Sequence, residues 1–392
     1  MATKAVAARV LTGGEAVAEA MRQIDPDVVP VYPITPQTPM IQGFAKFAAA
    51  GRVHGEIINV ESEHSAMSAA IGAALAGART ITATSSQGLA LMAEIVYIAA
   101  AMRAPILMAV GNRALSGPIN IHCDHSDSML VRDSGVVQLF AENAQEAYDL
   151  MVMAPRIAEH PDVLLPVLVC QDGFTITHSA EPVVLLGDRS VKRFVGEYHI
   201  PFPLLDLSAP TTQGPFAMPD YYYEVRHQQV AAMSAALAAF EDVAAEFETV
   251  SGRRYDVIEP YALDDAERAI VCLGSTGGTV KDVVDELRAE GERVGLLEIR
   301  SFRPFPVERL RAALEPVGQI AVLDRADSPG GLPPLFADLA ATLHGTNVEL
   351  GSYVYGLGGR DLHPEEIRDV FGAPAGAAVP LYLGLRSEPC PV

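Results

Sequence analysis

Three short segments of the chain combine polar side chains with the ends of apolar runs. They are YPITPQTP at 32–39, NVESEHSA at 59–66 and GNRA at 111–114. In open α/β sheets, the groups that bind ligands lie just beyond the carboxyl ends of the strands. We therefore expect these segments to contain the residues that do chemistry, each at the end of a strand.

Thr35 follows the first of these predicted strands and is flanked by Pro33 and Pro36. Proline fixes its own φ angle and restricts the residue before it, so the threonine is held in few conformations. Its hydroxyl can act as a fixed donor to a substrate oxygen. It can also cap the helix that follows, and capping is the commoner role for a threonine before a helix.

Two carboxylates, Glu61 and Glu63, follow the second predicted strand and precede a helix of small residues. Acidic residues are favoured in the first turn of a helix because of the helix dipole, which gives both glutamates a purely structural explanation. A carboxyl that is buried at this position can instead act as an acid or base toward a ligand. The residue types alone leave both roles open.

Arg113 ends the third apolar run, where its guanidinium can bind a carboxylate through two parallel hydrogen bonds. An ordinary salt bridge is the alternative. The next segment contains four potential metal ligands: His122, Asp124, His125 and Asp127. Neighbouring residues of a strand or turn point in different directions, and no set of cysteines accompanies them. We therefore predict structural hydrogen bonds for the two aspartates and no metal site.

The elements that must position these residues alternate along residues 1–175. Fully apolar runs of strand length alternate with helix-like stretches, which is typical of a parallel sheet covered on both faces. The predicted strands are 28–34, 57–60, 80–84, 105–110 and 163–169, and the predicted helices are 65–76, 88–102 and 144–159. Asn143 is the predicted cap of the last helix. The pattern predicts an α/β fold with a doubly wound parallel sheet.

Residues 200–220 contain five prolines, so we predict no regular structure there. The segment can be a linker or an extended arm that lies on a partner subunit. The stretch from 221 to 250 is predicted to form one long helix with an apolar stripe. The residues of the predicted stripe are Val230, Met233, Leu237, Phe240, Val243 and Phe247.

Residues 255–385 repeat the alternation and predict a second, smaller α/β domain. The segment GSTGGT at 274–279 lies between its first strand and first helix. The start of a helix after glycines can bind phosphate, but this spacing matches neither the dinucleotide-binding pattern nor the P-loop. We therefore predict a tight turn.

Composition limits the partners and the location. The formal net charge is −21, which disfavours nucleic acid and anionic membranes as partners. The four cysteines, Cys123, Cys170, Cys272 and Cys390, show no C-x-x-C spacing, so we expect free thiols and no iron–sulfur cluster on this chain. There is no stretch of membrane-spanning length and no secretory leader, so we expect a cytoplasmic protein.

Seven motifs in this order resemble the α subunit of the 2-oxoacid:ferredoxin oxidoreductases, and within that family the pyruvate:ferredoxin oxidoreductases. They are YPITPQT (32–38), VESEHSAMSAAIGA (60–73), TATSSQGLALM (82–92), GNRALSGPINIHCDHSDSM (111–129), RDSG (132–135), AENAQEAYD (141–149) and RSFRPFP (300–306). The resemblance covers nearly the whole chain. It implies that residues 1–250 form a domain that binds the pyrimidine of thiamine diphosphate. Residues 255–385 then resemble the C-terminal domain of transketolase.

The resemblance implies one subunit of a complex that oxidatively decarboxylates pyruvate with coenzyme A. The products are acetyl-CoA and CO2, and the electrons pass to ferredoxin. Thiamine diphosphate is shared with a β subunit that binds the diphosphate through Mg and carries iron–sulfur clusters. A γ subunit and a ferredoxin-like δ subunit complete the complex. This chain lacks the diphosphate motif and the cluster cysteines, which agrees with their assignment to the β subunit.

The resemblance also gives roles to three residues. Glu63 matches the family glutamate that contacts N1′ of the pyrimidine, whereas Glu61 is the rival within the same motif. Thr35 matches the threonine that hydrogen-bonds the substrate, and Arg113 matches the arginine that holds the substrate carboxylate.

Three other functions remain open from the sequence. One is the same chemistry on a branched-chain or aryl 2-oxo acid, another is a non-catalytic scaffold subunit, and the third is a nucleotide-binding or metal protein.

Overall fold

Strands and helices alternate along the whole chain in a computed structural model that describes residues 8–373 and 379–386. Cys390 and residues 1–7 lie outside the described residues. The elements of the first part are β1 (Arg9–Thr12), α1 (Gly13–Ile24), β2 (Val28–Val31), α2 (Thr38–Ala49), β3 (Glu56–Asn59), α3 (Glu63–Ala76), β4 (Ile81–Thr84), α4 (Ser86–Ala101), β5 (Leu107–Asn112), α5 (Ser126–Leu130), β6 (Val137–Phe140), α6 (Ala144–Ala158), β7 (Val167–Asp172), β8 (Ala180–Val183), α7 (Asp188–Val195) and α8 (Pro219–Ser251).

The second part begins after the long helix α8. Its elements are β9 (Ile258–Tyr261), β10 (Arg268–Cys272), α9 (Thr276–Ala289), β11 (Val294–Ile299), β12 (Ser301–Arg303), α10 (Val307–Leu314), β13 (Gln319–Asp324), α11 (Pro334–Thr342), β14 (Glu349–Val354), a 3-10 turn at Leu357–Gly359, α12 (Pro364–Gly372) and β15 (Leu381–Tyr382). Within the described residues, no helix is both long enough and apolar enough to cross a membrane.

The predicted parallel sheet of the first part is confirmed. Strands β4, β5, β7 and β6 are parallel neighbours in that order, and β2 pairs in parallel with β3. A bridge between Val28 and Thr80 joins the two groups of strands. Strand β6 was not predicted, because the buried Gln138 interrupts a short apolar run. Asn143 caps α6 as predicted, since its side chain accepts a hydrogen bond from the Glu146 amide.

The second sheet has the order β15-β14-β13-β10-β11-β9. All neighbours are parallel except β9, which is antiparallel to β11. Strand β12 belongs to the second part of the chain but does not join this sheet. It pairs antiparallel with β6 of the first sheet. The two parts therefore share a sheet edge as well as a packed face.

Helix α8 confirms the long helix predicted for 221–250. Of the predicted stripe, Met233 and Leu237 are partly buried against the core, but Val230 is wrong. Val230 is 61% exposed, whereas Gln229 is buried and donates a hydrogen bond to the Ser134 carbonyl. Small residues carry the packing there, and the buried face of the helix comprises Gln229, Ala232, Ala236, Ala239, Phe240, Val243, Ala244 and Phe247. The predicted stripe contained only large apolar residues, whereas alanine is enough for close helix packing on this face.

Within the segment 200–220 that was predicted to be irregular, residues 200–218, the proline-rich arm, contain no helix or strand. The prediction is wrong for Pro219 and Asp220, which begin α8. The Leu204 amide donates a hydrogen bond to the Leu75 carbonyl, which anchors the arm on the end of α3. Several apolar side chains of the arm point to solvent, among them Phe202, Leu207 and Phe216. Contact of the arm with a partner subunit stays a prediction.

A buried carboxylate, Asp172, joins the second part to the first. It ends β7 and is 1% exposed in its side chain. The His125 ring nitrogen lies 2.7 Å from one carboxylate oxygen, while Ser275 and Arg325 of the second part bind the other through Oγ at 2.6 Å and Nη1 at 2.8 Å. Burial alone would raise the pKa of Asp172, but the charges of His125 and Arg325 hold it well below its usual value.

A second buried cluster of charges lies between the two parts. It consists of four carboxylates and two cations: Glu142, Glu146, Glu259, Glu298, Lys281 and Arg300. Glu298 is the carboxylate with the poorest pairing, because Lys281 Nζ lies 3.7 Å away and its Oε2 has no hydrogen-bond partner among the described residues. Burial, together with the charges of Glu146 and Glu142, raises the pKa of Glu298 well above its usual value.

We expect Glu298→Gln to raise the melting temperature relative to the wild type, and to raise it more at about pH 8 than at about pH 5. The folded state keeps its proton on Glu298 to higher pH than the unfolded state does. The cost of ionising Glu298 is therefore absent below its usual pKa and grows as the pH rises. Glutamine cannot ionise, so the variant escapes this cost. Thermal denaturation of both proteins across this pH range measures the difference.

Glu259→Gln is the matched control from the same cluster. Although burial opposes it, the charges of Arg300 and Lys281 lower the pKa of Glu259, so this carboxylate stabilises the fold in its ionised form. The control is therefore expected to melt below the wild type at both pH values. A Glu298→Gln difference that stays constant or shrinks as the pH rises would contradict the prediction.

Candidate active site

Two of the three predicted site residues meet beyond the carboxyl ends of the first sheet. Thr35 follows β2 and Arg113 follows β5, and Arg113 Nη1 donates a hydrogen bond of 3.0 Å to the Thr35 carbonyl oxygen. Glu63 follows β3 and is the first residue of α3. Its carboxylate lies against the first turn of α4, where Gly88 approaches it.

The structure separates Glu63 from Glu61. Ser62 is the cap of α3, because its hydroxyl accepts a hydrogen bond of 3.2 Å from the Ser65 amide. Glu63 is 6% exposed, whereas Glu61 is exposed to solvent. The carboxylate of Glu63 makes no hydrogen bond or ion pair with the described residues, so its oxygens remain available to a ligand.

The surroundings of Glu63 fit a polar ligand. The Thr84 hydroxyl, which is buried without a hydrogen-bond partner among the described residues, lies on the same side of Gly88 as the Glu63 carboxylate. A Cβ atom on Gly88 would lie 2.8 Å from Glu63 Oε1, so only glycine permits this approach. A buried polar atom without a hydrogen-bond partner is costly, so a ligand that supplies a partner would be bound favourably here.

Arg113 is buried, at 7% exposure, without a carboxylate partner in the described part of the chain. Its Nε donates to the Asn120 carbonyl at 2.8 Å, and its Nη1 donates to the Thr35 carbonyl. The ordinary salt bridge is therefore not formed. A buried guanidinium that has only neutral acceptors attracts an anionic ligand.

The Thr35 hydroxyl does not cap helix α2. That helix begins at Thr38, and Gln37 occupies the cap position without a side-chain bond. Thr35 is exposed, and its hydroxyl makes no hydrogen bond with the described residues. It is therefore free to donate to a ligand that lies beside Arg113.

The four potential metal ligands do not converge. His122 contacts Asn120, Asp124 binds Ser126 and the Gly358 amide, and His125 binds Asp172. Asp127 acts as a hydrogen-bond acceptor, the structural role that was predicted for it. Two other groups bring ligand atoms close together: Cys123 with His125 and Asp172, and Glu142 with Glu146 and Glu298. In each group an arginine or lysine already pairs with a carboxylate, which disfavours a metal ion there.

A cavity of about 410 Å³ lies between the two parts, next to the loop that follows Arg113. Its walls include His122, Phe174, Ser275 and Arg325. Of the GSTGGT segment, Gly274 and Ser275 form the predicted turn before α9, whereas residues 276–279 are the first residues of that helix. Ser275 binds Asp172. Sequence reasoning gave no role to Asp172, although it is a polar residue at a strand end like the three predicted residues.

Two family models match the chain. One is described as pyruvate flavodoxin/ferredoxin oxidoreductase, thiamine diP-binding, and matches residues 19–245. The other is described as pyruvate:ferredoxin oxidoreductase core domain II and matches residues 266–367. Together they cover both α/β parts.

Curated relatives match over nearly their full length. Pyruvate synthase subunit PorA of Thermotoga maritima is 56% identical over 382 residues, which cover 96% of this chain and 97% of the relative. Ketoisovalerate oxidoreductase subunit VorA of Pyrococcus horikoshii is 40% identical, with 92% of each chain covered.

Two solved structures share the fold. A 2-oxoglutarate:ferredoxin oxidoreductase from Magnetococcus marinus, solved with 2-oxoglutarate, coenzyme A and succinyl-CoA, has a TM-score of 0.72 at 20% identity. It covers 92% of this chain and 64% of that chain. A split-gene transketolase has a TM-score of 0.52 at 14% identity and covers 93% of this chain and 95% of that chain.

The two α/β parts and the family models that match them define a subunit of a thiamine-diphosphate enzyme, and the resemblance and fold class expected from the sequence are confirmed. The chain belongs to the pyruvate:ferredoxin oxidoreductase family. Members of this family oxidatively decarboxylate pyruvate with ferredoxin, and this chain is an oxidoreductase subunit with the thiamine-diphosphate-binding domain.

We expect Gly88→Ala to lower the free energy of unfolding by about 1–3 kcal/mol, because the added methyl group overpacks the contact with Glu63 and Thr84. Gly72→Ala in α3 is the matched control. Nothing lies within 4 Å of its added Cβ atom, so alanine there should stabilise the helix by up to about 1 kcal/mol. Chemical denaturation measures both values. Equal effects of the two substitutions would show that Gly88 is not packed against the carboxylate.

Proposed function

We propose that this chain is the α subunit of a complex that converts pyruvate and coenzyme A to acetyl-CoA and CO2, with transfer of electrons to ferredoxin. We propose that Glu63, Thr35 and Arg113 carry its share of the reaction. The observation that carries the proposal is that the site holds a buried carboxylate and a buried guanidinium, neither of which is paired with an opposite charge among the described residues. The relatives named as pyruvate synthase subunits support pyruvate as the substrate.

Thiamine diphosphate, when bound, supplies the nucleophilic carbon and the electron sink that decarboxylation of a 2-oxo acid needs. Glu63 holds a proton between its carboxyl and N1′ of the pyrimidine. The carboxyl is buried, so this hydrogen bond is strong and does not compete with water. The Thr84 hydroxyl and the backbone at Gly88 bound the same space.

Arg113 binds the carboxylate of the substrate. The guanidinium already uses Nε and Nη1 to hold its own position, which leaves Nη2 to face the anion. The Thr35 hydroxyl donates a hydrogen bond to the keto oxygen. Because Arg113 binds the backbone of Thr35, the two donors keep a fixed separation, which orients the bond to be broken.

The proposal includes the partner subunits expected from the sequence. A β subunit binds the diphosphate through Mg and carries iron–sulfur clusters, and γ and δ subunits complete the complex with ferredoxin as acceptor. In support, Cys123, Cys170 and Cys272 are buried free thiols, and no group of them within the described residues could hold a cluster. Free thiols also agree with a cytoplasmic location. The proposed domains are residues 1–250 and 255–385.

A branched-chain or aryl 2-oxo acid is the second candidate substrate. The ketoisovalerate oxidoreductase subunit at 40% identity favours it. Arg113 and Thr35 contact only the carboxylate and the keto oxygen, which all 2-oxo acids share. Turnover of several acids by the complex decides between the candidates.

We expect Glu63→Gln to slow pyruvate-dependent reduction of ferredoxin by about a hundredfold or more in the assembled complex. Glutamine keeps the shape of the side chain but cannot hold the shared proton. The rate with a viologen dye as acceptor should fall equally, because the loss precedes electron transfer. Glu61→Gln is the control, since Glu61 is exposed in the same motif, and it should keep the wild-type rate. Equal rates of the Glu63 variant and the wild type would remove the proposed role.

We expect Arg113→Gln to raise KM for pyruvate by about 10- to 100-fold, because a charge-assisted hydrogen bond of about 1.5–3 kcal/mol is lost. The affinity for thiamine diphosphate, measured by calorimetry on the same complex, should not change. An unchanged KM would assign the carboxylate to another residue. A parallel loss of cofactor affinity would instead indicate a misfolded site.

A further inference from the structure

Asp127 is a fully buried carboxylate below the candidate site, and it has no cationic partner among the described residues. Four N–H groups surround it. Its Oδ2 accepts from the Ser86 amide at 2.8 Å and from the Arg113 amide at 3.0 Å. Its Oδ1 accepts from Asn112 Nδ2 at 2.9 Å and from the Ser128 amide at 2.7 Å. Burial raises the pKa of Asp127 to about 6, although these donors oppose the shift.

The Oδ2 atom joins two segments that are far apart in the chain. One is the end of β5, where Arg113 begins its loop, and the other is the first turn of α4. Ser86 has a φ angle of 47°, in the left-handed region that non-glycine residues adopt only at a cost. The hydroxyl of Ser86 also donates to the Ala114 carbonyl at 2.6 Å. The turn is therefore held in its conformation by contacts with the β5 loop.

The same turn carries Gly88, which lies two residues after Ser86 and touches the Glu63 carboxylate. A displacement of the turn would move the wall against which Glu63 rests. A displacement of the β5 end would move Arg113. One carboxylate thus connects the residue proposed to bind the cofactor with the residue proposed to bind the substrate.

We propose that Asp127 is a positioning residue. It holds Arg113 and the first turn of α4, against which Glu63 rests, in the relative position that the reaction needs. This inference rests on the proposed function above. A carboxylate is required because donors face both of its oxygens. An asparagine at this position would turn its own NH2 group toward one pair of donors, whichever way the amide is oriented.

The test is Asp127→Asn in the assembled complex, with KM for pyruvate and Kd for thiamine diphosphate measured together. We expect both to rise by about tenfold, because small displacements of positioned groups cost that much or more. A substrate-binding residue alone would change only KM. A rise in both KM and Kd indicates a residue that positions both Arg113 and the turn beside Glu63.

The double variant Asn112→Asp with Asp127→Asn exchanges the carboxylate and the amide. The new amide at 127 donates to the new carboxylate at 112, while its oxygen still accepts from Ser86 and Arg113. Only the Ser128 amide is left without its acceptor, so we expect the double variant to recover part of both losses. Asn112→Asp alone brings two carboxylates into contact and should be impaired.

Asp324→Asn is the control for loss of a buried carboxylate. Asp324 is also buried and accepts from two amides, those of Leu335 and Phe336, and burial raises its pKa to about 7. It lies at the end of β13 in the second part. We expect this variant to melt at a lower temperature but to keep wild-type KM and Kd.

An assembled Asp127→Asn complex with unchanged KM and Kd would overturn the inference, and so would a double variant no better than the single one. If Asp127→Asn does not assemble, Asn112→Ala decides. It removes one donor and keeps the carboxylate, so raised KM and Kd support the inference and unchanged values overturn it. Failure of the proposed function is seen separately, as wild-type activity in Glu63→Gln and Arg113→Gln.

Discussion

The carboxylate of Asp172 is the interaction on which the arrangement of the two parts depends. It ends β7 and lies directly beside Asn112, the last residue of β5, in the parallel register. Arg113 is the next residue, so the junction between the parts and the candidate site share neighbouring strand ends. Ser275 and Arg325 reach this point from the second part. The second part therefore stabilises the floor of the site although none of its residues is proposed to take part in the chemistry.

The two interdomain clusters use buried charge in different ways. Asp172 is well paired, so removal of one partner would leave a buried charge uncompensated, a change that typically costs about 3–5 kcal/mol. The cluster around Arg300 contains more carboxylates than cations, and one oxygen of Glu298 has no hydrogen-bond partner in the part of the chain that the structure describes. The first cluster holds the two parts together through paired charges, whereas the second is expected to make the stability of the fold depend on pH.

The sequence predicted the elements better than the side-chain contacts. Parallel strands that are covered on both faces are continuous apolar runs, so most of them were predictable. Strand β6 was not predicted, because Gln138 interrupts its apolar run. The predicted helix began at residue 65, so the sequence did not show that Ser62 caps α3 and that Glu63 is the buried first residue of that helix. The role of Asp127 depends on Ser86, which is 41 residues away in the chain. Contacts between residues so far apart produce no periodic pattern in the sequence.

Strand β12 has a consequence for how the chain is made. Because β12 completes the edge of the first sheet at β6, the ribosome must synthesise the chain past residue 303 before that sheet has its full set of strands. Until then, the backbone groups along the edge of β6 are open to pairing with other chains. The nascent first part is thus exposed to misassembly during synthesis of residues 140–303, the period in which a chaperone would be most useful. For the same reason, a gene cut between the two parts would separate β6 from the strand that protects it.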